Sequence, residues 1–455
     1  MANPRSDALV FFGATGDLAF KQTFPALLAL SVKGRLDMPI VCIGRKDIGV
    51  EKMRSRAKES LEAAGPLDPK AFAKFSAQLR YVAVDYDQPE TFEKIRTEVG
   101  DAKHPLSYVA LPPEVFEKVA SNLARAGLAK GARLVLEKPF GHDLDSAKKL
   151  SEALHPHFSE EAIFRIDHFL GKEPVENIVY FRAANSIIES SLNHDEVESI
   201  QITMAETFGV KGRAEFYDEV GAIRDVVQNH LFELVACLTM DLPRQAGHSG
   251  LREQRSKLLA SLLPVSSGDI VRGQVKGYKD EKGVKPDSTT ETFAVVRVGI
   301  DSERWKGVPI FIRAGKSLPV TATEALIRFK GSTQTVLDDV ASPAQNHLRF
   351  RVGPTAVIAI GAKVKKNGQA MVGELTELLV HRADSEAMKP YERLLGDAID
   401  GDPTLYADKQ ATEESWRVIA AALGDATPVH VYDEATWGPA EAATLTPPGG
   451  WSNPG

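Results

Sequence analysis

The strongest constraint on this chain is a change of rhythm near Pro174. Before it, short apolar runs alternate with stretches of helical periodicity; after it, strand-like runs follow one another with few helices between the later ones. The candidate strands Ala8 to Gly13, Ile40 to Gly44, Leu79 to Asp85, Leu106 to Leu111, Arg133 to Glu137 and Ala162 to Phe169 are separated by helical patterns. One of these, Pro112 to Gly127, opens on prolines and closes on glycine, as helices often do. Such alternation predicts a parallel sheet covered by helices. The later runs, SIQITMAE, TFAVVRVGI, VPIFIRAG, EALIRFK, HLRFRVG and AVIAIGAKV, predict a large, mainly antiparallel sheet. Two helical patterns stand out there, Tyr217 to Met240 and Glu386 to Ile399. The expected fold class is therefore α/β plus α+β, with a Rossmann-type domain over residues 1–170 and an α+β domain over residues 171–455. The terminal PPGGWSNPG reads as a poorly ordered tail.

Two domains also fit a length of 455 residues with 43% hydrophobic content, more than a single core usually serves. A formal net charge of -7 argues against nucleic acid or an anionic membrane surface as the main partner. An anionic substrate then needs a local basic pocket. The two cysteines, Cys42 and Cys237, lie inside apolar runs, so neither a disulfide framework nor a thiolate metal site is expected, and a reducing cytoplasm fits. The opening apolar run, ALVFFG, is too brief for a signal segment or a membrane span.

The first candidate strand runs into Gly13-Ala14-Thr15-Gly16-Asp17-Leu18 ahead of a helical pattern. Glycines at a strand-to-helix turn let backbone N–H groups approach a pyrophosphate. The motif is partial, since Phe11 takes the first glycine's place, and a tight structural turn explains it equally well. The second strand ends in Gly44-Arg45-Lys46, where cations suit the 2′-phosphate of NADP better than the ribose hydroxyl of NAD; a solvated loop is the plainer alternative. Glu137-Lys138-Pro139-Phe140-Gly141 closes another buried run, and Lys138 is placed to serve a cofactor and a substrate hydroxyl, or simply to face solvent. The proline also makes a cis peptide possible.

Arg165-Ile166-Asp167-His168-Phe169-Leu170-Gly171-Lys172-Glu173 sets a carboxylate, an imidazole and an ammonium within six residues where the two halves join. His168 and Lys172 suit a phosphate, whereas an Asp and a His satisfied by backbone hydrogen bonds is the bland alternative. A metal site from Asp167, His168, Glu206 and His230 is disfavoured because no compact ligand spacing exists. In the Tyr217 to Met240 pattern, His230 shares a helical face with Val226, Val227 and Leu234, the usual setting of a buried core histidine.

Taken together, GATGDLA, EKPFG, RIDHFLGKE, FYDEVGAIRDVVQNHL, IRAGK at Ile312 to Lys316 and YERLLGDAIDGD resemble the glucose-6-phosphate dehydrogenase family, in its order and at roughly its spacing. The resemblance implies an NADP-dependent oxidation of a sugar at its anomeric carbon, with NAD also possible, in the pentose phosphate pathway. It implies His230 as general base with Asp167 supporting its imidazolium. It further implies sugar-phosphate binding by His168 and Lys172, with Lys138, Glu206, Asp225 and Lys316 around the hydroxyls. Gly13, Thr15, Gly16, Asp17, Leu18, Arg45, Lys46, Leu111, Pro112 and Lys138 would meet the dinucleotide, and no metal is required. A homodimer or homotetramer follows from the same resemblance, the α+β domain serving substrate binding and association.

Five positions depart from the family's pattern: Gln22 for a lysine, Phe169 for a tyrosine, Glu233 and Gly353 for glutamines, and Thr321 near a usual cation. Charge-assisted contacts to phosphate are worth about 1.5–3 kcal/mol each, so their loss predicts a weaker grip on phosphate. An unphosphorylated or different sugar is thus a second reading, and a non-catalytic sensor of NADP or sugar phosphate a third. Retention of both Asp167 and His230 argues against the sensor, since binding alone needs no base.

Overall fold

Runs such as ALVFF and IVCIG are apolar throughout, which suits strands buried on both faces by helices. They form β1 (Ala8–Phe12) and β2 (Ile40–Gly44), joined by β3 (Leu79–Ala83), β4 (Pro105–Val109), β5 (Arg133–Leu136) and β6 (Ile163–Ile166). The structure is a computed structural model that describes residues 4–243, 248–331, 345–368, 372–381, 388–424 and 427–455. These six strands pair in parallel, in the order β6-β5-β4-β1-β2-β3, and the short β15 (Tyr406–Ala407) adds antiparallel to β6. Strand order reverses at β1, so the turn leaving β1 opens onto the crevice where doubly wound sheets hold ligands. On one face, Val10, Phe12, Ile43, Phe92, Val119 and Leu134 belong to a continuous buried cluster.

The chain divides into two units, the first made of Met1–Glu173, Pro243–Ser256 and Met388–Glu413, the second of Pro174–Leu242, Lys257–Ala387 and Glu414–Gly455. The first unit thus takes in two later segments that a single cut after residue 170 leaves with the second half. Buried cations hold them there. Arg133 donates to the Ile399 carbonyl at 3.2 Å, and Arg255 to the Thr404 carbonyl at 2.7 Å. Glu160 accepts from both Arg165, at 2.7 Å, and the Lys409 N–H, at 2.7 Å.

In the second unit a nine-stranded sheet contains β7 (Val197–Ala205), β8 (Ile270–Val275), β9 (Phe293–Val298), β10 (Ile310–Gly315), β11 (Ala322–Phe329), β12 (His347–Gly353), β13 (Val357–Lys365), β14 (Gly373–His381) and β16 (Val429–Tyr432). Its order is β14-β13-β12-β11-β7-β10-β9-β8-β16. Pairing is antiparallel except at β7 with β10 and β8 with β16. The strict alternation of burial along HLRFRVG is the period-two signature that made β12 readable. Strand β8 was not legible, because Arg272, Gly273 and Gln274 interrupt its apolar run.

Two expectations are corrected. The pattern Tyr217 to Met240 is not one regular helix: Ala214–Ala222 breaks at Gly221 (φ 71°), a wide-turned π-helix spans Ile223–Leu231, and an α-helix covers Phe232–Thr239. The terminal segment is not loose. Trp451 stacks edge-on to Phe311 with centroids 6.2 Å apart, Gln201 exchanges hydrogen bonds with Gly450 and Ser452 at 3.1 and 2.9 Å, and Asn453 accepts from Arg313 at 2.7 Å. The segment after the second proline is held because the sheet presents buried polar groups that it satisfies. The pattern Glu386 to Ile399 becomes the helix Pro390–Asp400, its first residues lying outside the described ones.

Candidate active site

The turn after β1 exists only because residue 13 is glycine. Gly13 adopts φ 79°, and a Cβ there would stand 2.1 Å from the Ala110 carbonyl oxygen at the end of β4. This contact draws the turn against Leu111, whose Cδ2 lies 3.4 Å from the same point, with Pro112 next in the chain. Gly16 N–H donates to the Gly13 carbonyl at 2.9 Å, and Thr15, Gly16 and Asp17 are exposed before Leu18 leads into the π-turn Ala19–Thr23. Arg56, which sequence reasoning missed, steadies the turn by donating to the Gly16 carbonyl at 3.1 Å. At the end of β2, Arg45 and Lys46 are exposed, and the Lys46 carbonyl accepts from the Tyr81 hydroxyl. A glycine turn beside two exposed cations fits a dinucleotide carrying a 2′-phosphate.

Past β5, the Lys138-Pro139 peptide is cis. Behind it Glu137 is buried and accepts from the Tyr108 hydroxyl at 2.6 Å and the Tyr391 hydroxyl at 3.3 Å. Loss of solvent pushes the Glu137 carboxyl up to about 7, and the two hydroxyls and nearby Lys138 only partly oppose this. Tyr391 opens the run YERLLGDAIDGD, but its contact with Glu137 was not legible, because only the fold brings the helix Pro390–Asp400 beside β5.

The strand β6 stops at Ile166, shorter than the expected Ala162 to Phe169, because Asp167 turns the chain. Its Oδ1 accepts the Phe169 N–H at 2.8 Å, Leu170 N–H donates to the Asp167 carbonyl at 3.1 Å, and Lys172 N–H to the Phe169 carbonyl at 3.0 Å. In this tight turn Asp167 and Phe169 are buried, while His168 and Lys172 are half-buried. The Lys172 Nζ lies 3.5 Å from the centroid of the Phe169 ring, so the ammonium rests on an aromatic face that lacks the hydroxyl of the family's tyrosine.

The other candidates come from the second unit. Parallel pairing of β7 with β10 sets Ala205 opposite Gly315, so the next residues, Glu206 and Lys316, leave the sheet side by side. Lys316, only 3% exposed, makes an ion pair with Glu206 and stands 3.7 Å from Asp225. Arg213 approaches Asp225 from the other side at 3.9 Å. Asp225 and His230 both belong to the π-helix Ile223–Leu231, and His230 is 1% exposed, buried as the spacing predicted. Thr321 bonds the Thr207 hydroxyl at 2.9 Å, so its hydroxyl is engaged where a cation was expected. Among the described residues no group of three or more His, Cys, Asp or Glu is placed to hold a metal.

Comparison with known proteins agrees with this arrangement in both halves. The family model for the glucose-6-phosphate dehydrogenase NAD binding domain matches residues 10–177, and that for the glucose-6-phosphate dehydrogenase C-terminal domain matches residues 179–451. The chain belongs to the glucose-6-phosphate dehydrogenase family. Glucose-6-phosphate 1-dehydrogenase 1 of Mycobacterium bovis is 37% identical over 451 residues, covering 99% of this chain and 97% of that protein. The crystal structure of the Mycobacterium avium glucose-6-phosphate 1-dehydrogenase superposes with a TM-score of 0.92 at 37% identity, covering 99% of each chain. A glucose-6-phosphate dehydrogenase in complex with its substrate glucose 6-phosphate gives 0.90 at 32% identity, covering 100% of each. Membership of this dehydrogenase family bears out the resemblance read from GATGDLA, EKPFG and RIDHFLGKE. No helix among the described residues is long and apolar enough to cross a membrane.

Proposed function

We propose that this chain is an NADP-dependent glucose-6-phosphate 1-dehydrogenase that oxidises the anomeric carbon of its sugar phosphate to a lactone. The observation that carries the reading is kinship with the family along both halves of the chain. NADP, when bound, supplies the ring that accepts the hydride from C1. The exposed turn Thr15 to Asp17, Leu18, Leu111, Pro112 and the cations Arg45 and Lys46 would hold it, the glycine turn after β1 offering exposed backbone at the pyrophosphate.

The chain's own groups do the rest. A ring nitrogen of His230 takes the proton from the C1 hydroxyl as the C1–H bond yields its hydride, leaving a C1=O double bond. Asp167 supports the imidazolium that results. His168 and Lys172 bind the phosphate, and Lys172 comes to it already held against the Phe169 ring. Glu206, Asp225, Lys316 and Lys138 orient the hydroxyls; the buried Lys316 side chain is held in place by its ion pairs to Glu206 and Asp225.

One observation favours a weaker hold on phosphate: Thr321 and Gln22 contribute hydroxyl and amide where charge was expected. The second reading, a different sugar, rests on it. Formation of NADPH with glucose 6-phosphate, free glucose and other sugar phosphates separates the readings. The expected result is turnover of glucose 6-phosphate with at least about a hundredfold advantage in kcat/KM over glucose. Equal kcat/KM for the two sugars would shift the assignment to an unphosphorylated substrate, and NADP binding without NADPH formation to a sensor.

Association into a homodimer or homotetramer is part of the same proposal. The edge strand β14 exposes Leu378, Leu379 and Val380, a surface that a second sheet edge would cover. A cytoplasmic setting agrees with two cysteines that are both buried.

A further inference from the structure

Glu291 has none of the roles assigned above, yet it forms the joint from which the helix of Asp225 and His230 departs. Its Oε1 accepts the Ile223 N–H at 3.0 Å, and its backbone carbonyl accepts the Ala222 N–H at 2.9 Å. First-turn N–H groups have no acceptor within their own helix, so Glu291 supplies it. Its negative charge also lies at the positive end of the helix dipole. The corner before the helix is Gly221 at φ 71°, where a Cβ would come within 2.5 Å of Glu291 Oε1. Glycine and carboxylate therefore fit each other at this joint.

The other carboxylate oxygen is fixed from the sheet. Arg272, on β8, stands 3.1 Å from Glu291 Oε2, with both side chains 4% exposed. Arg272 is itself tied to the carbonyls of Thr289, Gly424 and Thr427 at 2.7, 2.6 and 3.0 Å. A buried carboxylate held at both oxygens is a rigid reference point. Where the helix starts decides which way its later residues face: a start moved by one residue rotates a side chain by roughly 100° in an α-helix.

We propose that Glu291, anchored by Arg272, is a positioning residue that sets the start of the Ile223–Leu231 helix and so aims Asp225 and His230. The inference rests on the reading of His230 as the base. Glu291→Ala removes the acceptor, Glu291→Gln keeps an amide oxygen for Ile223 N–H, and Gly221→Ala crowds the same joint from the opposite side while keeping the carboxylate.

Steady-state kinetics with glucose 6-phosphate and NADP test the proposal. The expected result is a fall in kcat of about tenfold to a hundredfold in Glu291→Ala and Gly221→Ala, with substantial recovery in Glu291→Gln. NADP affinity should stay within about twofold, because Gly13 and Arg45 belong to the other unit. With sugar deuterated at C1, the isotope effect on kcat should rise in the impaired variants as the chemical step becomes slower. In a His230→Asn background, Glu291→Ala should add little further loss. Wild-type kcat in both joint variants, beside an impaired His230→Asn, would overturn this inference and leave the base in place. Wild-type kcat in His230→Asn would overturn both. Losses that track only the amount of folded protein, with an unchanged isotope effect, would reduce Glu291 to a structural role.

Discussion

Arg45 is a single exposed guanidinium at the end of β2, and its consequence for cofactor choice is sharp. An exposed cation there meets a 2′-phosphate that NAD lacks, so Arg45→Ala should weaken NADP by about tenfold or more and leave NAD nearly unchanged. Titration of both dinucleotides checks this; equal weakening would remove Arg45 from the 2′-phosphate site. Glu137 carries a different signal. Its carboxyl titrates at about 7 in the fold against an ordinary 4.5, because burial disfavours the charge. The folded state therefore binds the proton more tightly than the unfolded chain. The stabilisation is fully present below about pH 4.5 and is lost as pH rises through about 7. Glu137→Gln, which stays neutral, should show a Tm advantage over the wild type that widens between about pH 5 and about pH 8. A constant difference across that range would contradict the buried-acid assignment.

Elements show where sequence was readable and where it was not. Strands with a plain signature, such as fully apolar β2 or alternating β12, were legible because burial acts directly on residue type. The turn after β1 was legible from its glycines, and the buried face of His230 from helical spacing. The π-helix was not. Its start is met by Glu291, some seventy residues away in sequence, and such a contact is information that no local window holds. The docking of the last residues was misread for a similar reason: glycine- and proline-rich composition is typical of loose tails, but Arg313 lies between the rings of Trp437 and Trp451, at 4.2 and 4.3 Å. This packing carries its own prediction. Removing residues 447–455 should lower the Tm of the second unit by about 5 °C or more, because a buried arginine loses an aromatic face and a hydrogen bond together. An unchanged Tm would mean that the segment only rests on the sheet.

For the molecule as a whole, the two fold classes followed from the change of rhythm near Pro174, while the recruitment of Pro243–Ser256 and Met388–Glu413 into the first unit did not. Those segments join through buried arginines whose partners are backbone carbonyls, which leave no pattern in the residues they hold. Asp167, His168 and Lys172 are residues of the first unit, and Glu206, Asp225, His230 and Lys316 of the second. The decisive measurement is NADPH formation from glucose 6-phosphate by the wild type and by His230→Asn, with NADP affinity measured in parallel. A drop in kcat of about a hundredfold or more with NADP affinity unchanged is the expected result. Turnover that survives the substitution, or a loss of NADP binding equal to the loss of rate, would contradict the assignment of His230 as the group that takes the proton.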